Sequence, residues 1–333
     1  MTNPYRKKQK AQFWKHAVTN LDPQSITPMR PQRYQFPAGT RIATAGSCFA
    51  QNMAKRLRDD QRVCMLFAEE VQEGLPCYSA QYGNIYTPRQ LVQLIEEAFE
   101  RRTPADAVAP RNGRYIDLLR PEYEKNGFSN EAALREARNT HLAAVRDVIQ
   151  NCDVFVFTLG LTECWRSKID GTVYPLSPSV VSDDADNEKY EFYNLTYQEI
   201  VDDIGRLVDL FREFNAPAHI ILTVSPVPLI ATYTDEHVLV ATCSSKSILR
   251  AACSAAESTH SSLLYFPAYE IVTGPFSKGS YFKDDLRSVT PQAIDHVMRV
   301  FEANFLPDKR MLFSEGDAAV ICDEESITKS IGF

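Results

Sequence analysis

A serine in a turn between an apolar run and a run of helical spacing is the residue of this chain best placed for nucleophilic chemistry. Residues 41–45 are apolar enough for a strand, Gly46 and Ser47 form the turn, and residues 48–59 carry apolar side chains at helical spacing. Such a turn presents a hydroxyl at the carboxyl end of a strand, where the free amides of the next helix face the group under attack. Ser47 is therefore a candidate nucleophile, and a simple helix N-cap is the alternative.

Glycines and hydrogen-bonding side chains stand in other loops that are expected at the same sheet edge. Gly83 and Asn84 precede a predicted helix, and Gly160, Thr162 and Glu163 follow the most apolar run of the chain. An oxyanion site needs such donors, because negative charge develops on a carbonyl oxygen when a serine attacks it. Each segment also has a structural interpretation, as a turn, a close approach of two backbones or a cap.

The elements that must position these residues alternate between strand and helix. Strands are predicted at residues 41–45, 63–67, 153–158, 219–224 and 263–266, and helices at residues 48–59, 88–101, 130–151, 196–214, 244–259 and 291–305. This alternation predicts an α/β fold in which a parallel sheet carries helices on both faces. Ligands of such sheets bind outside the carboxyl ends of the strands, so the segments above are expected to converge there.

The 333 residues, of which 44% are hydrophobic and 24% charged, have an ordinary globular composition. Length alone allows one large domain or two. Residues 1–37 are predicted as a polar N-terminal arm, residues 38–305 as the α/β domain, and residues 306–333 as a C-terminal tail. Within the domain a surface insertion is placed at about residues 103–130, of which 103–128 are expected to be irregular. Residues 169–194 are expected to form a loop.

Charge and patterning exclude several classes of function. A net charge of −7 argues against a nucleic-acid partner. The chain begins without the apolar region of a secretory signal, and it lacks an apolar run long enough for membrane insertion. Eight scattered cysteines without a Cys-x-x-Cys pair predict reduced thiols in a cytoplasmic protein, with no disulfide framework and no metal site. An oligomer stays possible.

The pentapeptide 46–50, Gly-Ser-Cys-Phe-Ala, matches the one that names the GSCFA domain family, a branch of the SGNH/GDSL-like hydrolases. Other segments that resemble the blocks of that family lie at residues 82–86, 157–163, 225–229, 246–250 and 265–270. The resemblance implies a flavodoxin-like, SGNH-type three-layer sandwich around a parallel sheet of five strands. It also implies serine-dependent acyl-ester chemistry on a carbohydrate or polysaccharide.

The resemblance assigns roles to individual residues. Ser47 would be the nucleophile, and the amides of Ser47 and Gly83, with Asn84 beside them, would form the oxyanion hole. SGNH enzymes supply a further donor from a Gly-x-Asn-Asp block, which corresponds here to residues 160–163. Thr162 therefore stands where those enzymes carry the asparagine, and its hydroxyl reaches less far.

The triad that the resemblance implies lacks its histidine. The Asp-x-x-His stretch of SGNH enzymes corresponds to residues 285–288, where Asp285 is retained and Ser288 replaces the histidine. A serine hydroxyl cannot act as a general base near neutral pH, because that role needs a group whose pKa lies close to the working pH. Among the six histidines, His237 follows a strand on the active edge of the sheet and is the candidate base, with a surface role as the alternative. The residues expected to contact the substrate are Gly160, Glu163, Lys246, through an anionic group, and Ser288.

Two classes of function follow. The first is an O-acyl esterase or O-acyltransferase that acts on an acylated carbohydrate or similar small ester, without a cofactor apart from CoA as a possible acyl donor. The second is a binding or scaffold protein that kept the cleft and lost the chemistry with the histidine. Cys48 is intrinsically a better nucleophile than Ser47, but its side chain is expected to point away from that of its neighbour and to be buried.

Overall fold

The computed structural model describes residues 3–29, 34–70, 77–124, 126–182 and 185–308. Its strands are β1 (Thr40–Gly46), β2 (Val63–Met65), β3 (Val108–Arg111), β4 (Arg114–Asp117), β5 (Val154–Leu159), β6 (Glu163–Ser167), β7 (Val173–Tyr174), β8 (Tyr190–Asn194), β9 (His219–Val224) and β10 (Leu263–Tyr265). Its α-helices are α1 (Ala50–Arg58), α2 (Pro88–Ala98), α3 (Glu131–Asn151), α4 (Pro178–Val181), α5 (Tyr197–Phe214), α6 (Val238–Thr259), α7 (Ala268–Thr273) and α8 (Pro291–Phe305).

The central sheet has five parallel strands in the order β2-β1-β5-β9-β10. Counted along the chain, this is the order 2-1-3-4-5 of flavodoxin-like sheets, in which ligands bind where the strand order reverses. The reversal lies between β1 and β5. Every residue of β5 is buried, as its unbroken apolar sequence predicts for a strand covered on both faces. The predicted α/β three-layer architecture is confirmed.

Alternate side chains of β5 divide the core into two layers. Phe155 and Phe157 pack with side chains of α2, α3, α5 and α6 on one face of the sheet. Val154 and Val156 pack with side chains of α1, α7 and α8 on the other face. This arrangement anchors the carboxyl ends of β1 and β5 between two layers of helices, so the loops that follow them start from fixed positions.

Two small antiparallel sheets, β3-β4 and β7-β6-β8, lie outside the central sheet. The predictions of irregular structure at 103–128 and of a loop at 169–194 are therefore wrong. The β3-β4 turn consists of Asn112 and Gly113, whose φ angles of 51° and 72° suit a type I′ hairpin. This Asn-Gly pair was a readable hairpin signal, whereas β7 and β8 are short and separated by a proline-containing helix.

The flanking segments are described only in part. Of the predicted arm at residues 1–37, the structure describes 3–29 and 34–37, which include short 3-10 helices such as Pro4–Lys7 and Pro23–Ser25. Of the predicted tail at 306–333, residues 309–333 lie outside the described residues. The three domain boundaries stay predictions. In the described part of the chain, no helix has the length and apolarity needed to cross a membrane.

Candidate active site

Ser47 directly follows β1 at the point where the strand order reverses. Its N–H donates to the Thr158 carbonyl oxygen over 3.0 Å, and its own carbonyl oxygen accepts from the Ala50 amide over 2.9 Å. The backbone of the serine is therefore fixed on both sides. The side chain is 2% exposed, and its Oγ has no hydrogen-bond partner among the described residues. Of the four buried hydroxyls without a partner among the described residues, only this one belongs to a residue that lines a large cleft, which makes it a candidate functional group.

Gly46 fixes the turn that presents Ser47. Its φ of 141° is a conformation that residues with a Cβ rarely adopt. A Cβ at this position would lie 2.8 Å from the Thr158 Cβ and closer still to the Thr158 carbonyl oxygen.

We expect Gly46→Ala to lower the free energy of unfolding by about 1–3 kcal/mol, because alanine must strain or displace this turn. Urea unfolding measures the change. The control is Gly205→Ala, since Gly205 lies in α5 with open space around it and alanine favours a helix. An equal loss of stability in the two variants would contradict the assignment of strain to Gly46.

Ser47 lies in a cleft of about 840 Å³. One wall carries an aromatic cluster in which the rings of Trp165 and Phe192 lie 4.9 Å and 5.2 Å from the ring of Tyr233. These rings come from β6, β8 and the loop after β9, so the small β7-β6-β8 sheet builds the wall. Apolar side chains such as Leu161, Val180 and Ile230 line other parts of the cleft, together with polar side chains. Apolar walls with a few polar groups are typical of small-molecule sites.

Gly160 and Tyr86 close the cleft beside the nucleophile. The Gly160 amide donates to the Tyr86 carbonyl oxygen over 2.8 Å. A Cβ added to Gly160 would lie 2.8 Å from the Tyr86 Cδ1 and 3.2 Å from the Ser47 Cβ. Only glycine at this position lets the end of β5 approach the nucleophile so closely. The role of Gly160 beside Ser47 is therefore steric, because its amide already donates to the Tyr86 carbonyl oxygen.

From the loop before α2, Tyr86 lines this cleft, whereas Asn84 lines a separate small cavity. Burial raises the pKa of Tyr86 to about 12, against smaller lowering by Arg287 and by a hydrogen bond with Asn84. Tyr86 is thus a neutral hydroxyl that lines the cleft. The Asn84 Oδ1 accepts from the Tyr78 hydroxyl over 2.6 Å, which fixes the side-chain amide. Sequence analysis missed Tyr86, although it ends the 82–86 block.

Some of the predicted oxyanion donors already bond to other groups of the protein, and others do not. The Ser47 amide is engaged with Thr158, whereas the Gly83 amide donates to no group in the part of the chain that the structure describes. Gly83 has a φ of 69°, which suits glycine at this turn. Thr162 is fully buried, its Oγ1 donates to Asn194 Oδ1 over 2.7 Å, and its amide donates to the Ser245 hydroxyl. The structure therefore does not place Thr162 as an oxyanion donor, because its single hydroxyl proton is already shared.

Glu163 lines the cleft, but its carboxylate is occupied. It accepts from the Thr232 hydroxyl over 2.6 Å and from the Tyr233 amide over 3.0 Å. These bonds tie β6 to the loop that carries Tyr233. The predicted contact of Glu163 with the substrate therefore stays a prediction, and the clear role of its carboxylate is to hold the cleft wall in place.

Asp285 and Ser288 bond to each other rather than to Ser47. The Asp285 carboxylate accepts from the Ser288 hydroxyl over 2.5 Å and from the amides of Ser288 and Arg287 over 2.8 Å and 3.0 Å. The hydrogen bond from the Ser288 hydroxyl is the main cause that lowers the pKa of Asp285 to about 2. Asp285 is exposed and is absent from the cleft lining. From this loop, Arg287 reaches the cleft, and its Nε donates to the Pro228 carbonyl oxygen.

His237 caps α6 instead of reaching the nucleophile. Its Nδ1 accepts from the Leu239 amide over 3.2 Å, and its side chain is exposed. α6 begins at Val238, six residues before the predicted start at 244, so His237 becomes the residue at its N-terminus. The structure does not place His237 as the base. No histidine of the described residues lines the cleft, and within the same residues no cluster of metal-binding side chains is present.

Cys48 is exposed and lines the cleft beside Ser47. The expectation that its side chain is buried is therefore wrong. The turn at Gly46 directs the Ser47 side chain inward, and the next residue consequently faces outward. The thiol is a second nucleophile at the site, which any labelling experiment must distinguish from Ser47.

Lys246 approaches the site from α6, below the cleft surface. It is 1% exposed, and its Nζ donates to the Gly160 carbonyl oxygen. Burial lowers the pKa of Lys246 to about 7, with a small opposing contribution from Cys48 and a small further lowering by Arg287. In the described part of the chain no carboxylate forms an ion pair with it. The role of Lys246 as a contact for an anionic group of the substrate stays a prediction. That prediction did not include the burial of the side chain.

Comparison with known proteins gives one strong match. A sequence model of the GSCFA family matches residues 41–301. Among curated protein sequences, none is significantly similar to this chain.

Three solved structures, two of esterases and one of a lipase, are similar to part of this chain. An acetyl esterase variant with an acetate ion is 8% identical, with a TM-score of 0.35 over 79% of this chain and 95% of that chain. A carbohydrate esterase of family 3 from Talaromyces cellulolyticus is 11% identical, with a TM-score of 0.29 over 79% and 95%. A GDSL-like lipase from Parabacteroides merdae is 13% identical, with a TM-score of 0.36 over 82% and 98%. Similarity at this level does not bear on activity.

Proposed function

The chain belongs to the GSCFA family, and on that premise we propose that it carries out acyl-ester chemistry with Ser47 as the nucleophile. The observation that carries the proposal is the Ser47 hydroxyl, which is buried at the base of a large cleft without a hydrogen-bond partner among the described residues. A hydroxyl that only capped a helix would accept from a backbone amide of that helix. Ser47 Oγ accepts from none that the structure describes.

The reaction follows from the atoms around Ser47. Its Oγ bonds to the carbonyl carbon of the bound ester, and negative charge develops on the carbonyl oxygen. The Tyr86 hydroxyl, which lines the cleft, is the side-chain donor that we assign to that oxygen, and the Gly83 amide, which has no acceptor among the described residues, is the backbone donor. The alcohol then leaves, and an acyl group remains on Ser47. Water that attacks this acyl-enzyme gives hydrolysis, whereas a second alcohol gives transfer.

The cleft supports a substrate that combines apolar and polar parts, such as an acylated carbohydrate or related polyol. Its volume falls in the ~300–1,000 Å³ range of small-molecule sites. The aromatic cluster of Trp165, Phe192 and Tyr233 offers flat apolar surface to an acyl group or a sugar ring. Arg287, which also lines the cleft, can donate to hydroxyl or carbonyl oxygens, and the Glu191 carboxylate can accept from a hydroxyl group. A rise in melting temperature with CoA would favour acyl transfer from a thioester over hydrolysis.

A binding protein without catalysis is the second candidate. It is favoured by the bonding of Asp285 to Ser288 and by the capping role of His237, since neither residue reaches Ser47. Such a protein would keep the cleft and bind the acylated sugar without cleaving it.

Labelling with a fluorophosphonate probe separates the two candidates. If Ser47 is an activated nucleophile, we expect stoichiometric labelling, which peptide mass spectrometry maps to Ser47. The Cys48→Ser variant should be labelled equally, which excludes the neighbouring thiol, and Ser47→Ala should not be labelled. Folded protein that binds an acylated sugar and leaves the probe unreacted would overturn the enzymatic proposal.

A further inference from the structure

Lys246 is a buried amine that forms no ion pair in the described part of the chain. Its neighbours on the same buried stripe of α6 are mostly small or apolar residues, including Leu249, Ala252 and Cys253. Lysine is almost never fully buried unless it is paired, because an ammonium loses its hydration in the interior. An apolar side chain of similar length would fit this position with less cost. The retained amine therefore indicates a chemical role.

Gly160 lies between Lys246 and Ser47. The Gly160 carbonyl oxygen accepts from Lys246 Nζ, and a Cβ added to Gly160 would lie 3.2 Å from the Ser47 Cβ. Cys48 and Arg287 are the other titratable groups whose charges act on Lys246, and both line the cleft. The Lys246 amine thus lies behind Ser47, which follows β1, and next to Gly160 at the end of β5.

Lys246 Nζ and Ser47 Oγ do not bond to each other in this structure. In this structure Lys246 Nζ bonds to Gly160, and Ser47 Oγ has no partner among the described residues. The four-carbon stem of lysine is flexible, and hydrogen bonds between catalytic groups are often long before substrate binds. For the two groups to interact, the terminal torsions of Lys246 must rotate or one water must bridge Nζ and Oγ.

We propose that Lys246 is the general base of the Ser47 reaction, in the place that histidine holds in the triad of SGNH enzymes; this inference rests on the proposed function. The neutral amine takes the proton of Ser47 Oγ as Oγ bonds to the ester carbon, and the ammonium returns that proton to the alcohol oxygen as the ester bond breaks. In the second half the amine takes a proton from water as its oxygen bonds to the acyl carbon, and returns it to Ser47 Oγ. The balance is ester plus water to acid plus alcohol.

The Lys246→Met variant tests this proposal, because methionine matches the length of the stem and has no base. We expect kcat/KM for a p-nitrophenyl ester to fall about 10²–10⁴-fold. Wild-type kcat/KM should rise about tenfold per pH unit below pH 7 and level off above it, since only the neutral amine accepts a proton. This rise should be absent in the variant. Lys246→Arg, which keeps the charge but stays protonated, should not restore activity.

Stability measurements distinguish a loss of catalysis in Lys246→Met from a loss of folded protein. Burial lowers the pKa of Lys246 from 10.5 to about 7, so between these values the unfolded chain binds more protons than the folded chain. Wild-type stability should therefore rise as pH increases across this window. Lys246→Met should remove the rise and raise the melting temperature at pH 7. The exposed Lys55→Met in α1 serves as the control and should leave both profiles unchanged.

The outcomes separate the base from the proposed function. A folded Lys246→Met variant that keeps the wild-type rate and pH profile, while Ser47→Ala is inactive, overturns the role of Lys246 and leaves the function standing. If no ester is turned over, the rate of fluorophosphonate labelling of Ser47 against pH replaces kcat/KM. An unlabelled Ser47 overturns both. Repeating the pH profile in Cys48→Ser shows whether the thiol causes it, which would also overturn the proposal.

Discussion

Replacement of Ser47 by alanine is expected to remove nearly all ester turnover. The rate enhancement that remains should be the ~10³–10⁴-fold that binding and an oxyanion hole supply alone. The change removes the atom that forms the bond to the acyl carbon. It keeps the hydrogen bonds of the Ser47 backbone to Thr158 and Ala50. Because the lost hydroxyl had no partner among the described residues, stability should be unchanged or slightly higher. Turnover of a small acyl ester and thermal unfolding measure both effects.

Ser225 offers a matched control for this experiment. It is a buried serine at the end of β9 that lines the same cleft, but its Oγ already accepts from the Val227 amide over 3.3 Å. Ser225→Ala should keep most of the turnover. Robust turnover by Ser47→Ala would move the chemistry to another group, and the combination with Cys48→Ser would then show whether the thiol carries it.

Replacement of Asp117 by alanine is expected to lower the free energy of unfolding by about 3–5 kcal/mol. Asp117 is 2% exposed and accepts from Arg120 Nε over 3.1 Å and from Arg138 Nη1 over 2.9 Å. Removal of the carboxylate would leave two buried guanidinium groups with one partner fewer each. The remaining carboxylates nearby, Glu97 on Arg138 and Glu69 on the His141 imidazole, are already paired.

Acid should weaken this contribution in wild type. Burial raises the pKa of Asp117, but the charges of Arg138 and Arg120 outweigh it, so the folded-state pKa lies below the ordinary value of 3.8. The stability from the carboxylate is therefore present above pH 3.8 and is lost as pH falls through the folded-state pKa. Urea unfolding at pH 7 and at lower pH measures the effect.

Glu213→Ala is the control, because Glu213 pairs with Arg101 at the surface, where both side chains are well exposed. Exposed pairs contribute about 0–1 kcal/mol. Equal losses of stability in Asp117→Ala and Glu213→Ala would contradict this prediction. They would show that the buried guanidinium groups of Arg120 and Arg138 do not need the Asp117 carboxylate.

The sequence by itself determined the central sheet and the position of Ser47 directly after its first strand. Periodicity located all five strands of that sheet, and the bounds of β9 and α8 agree with the predicted residues. The Gly46-Ser47 turn could be predicted because it depends on neighbouring residues only, that is, on an apolar run, a glycine and a helix. Family resemblance, which rests on several such local blocks, agrees with the GSCFA match over residues 41–301.

Only the tertiary structure decided which side chains lie near Ser47. Asp285 turned to Ser288 and His237 became a cap, because each found a hydrogen-bond partner within three residues of itself. Lys246 meets the Gly160 carbonyl 86 positions away, at a contact between α6 and the residue that follows β5. Its sequence signal was a single charge within an apolar helical stripe. Spacing along a chain cannot show how deep such a charge lies, and that depth sets whether the amine is neutral and can serve Ser47 as a base.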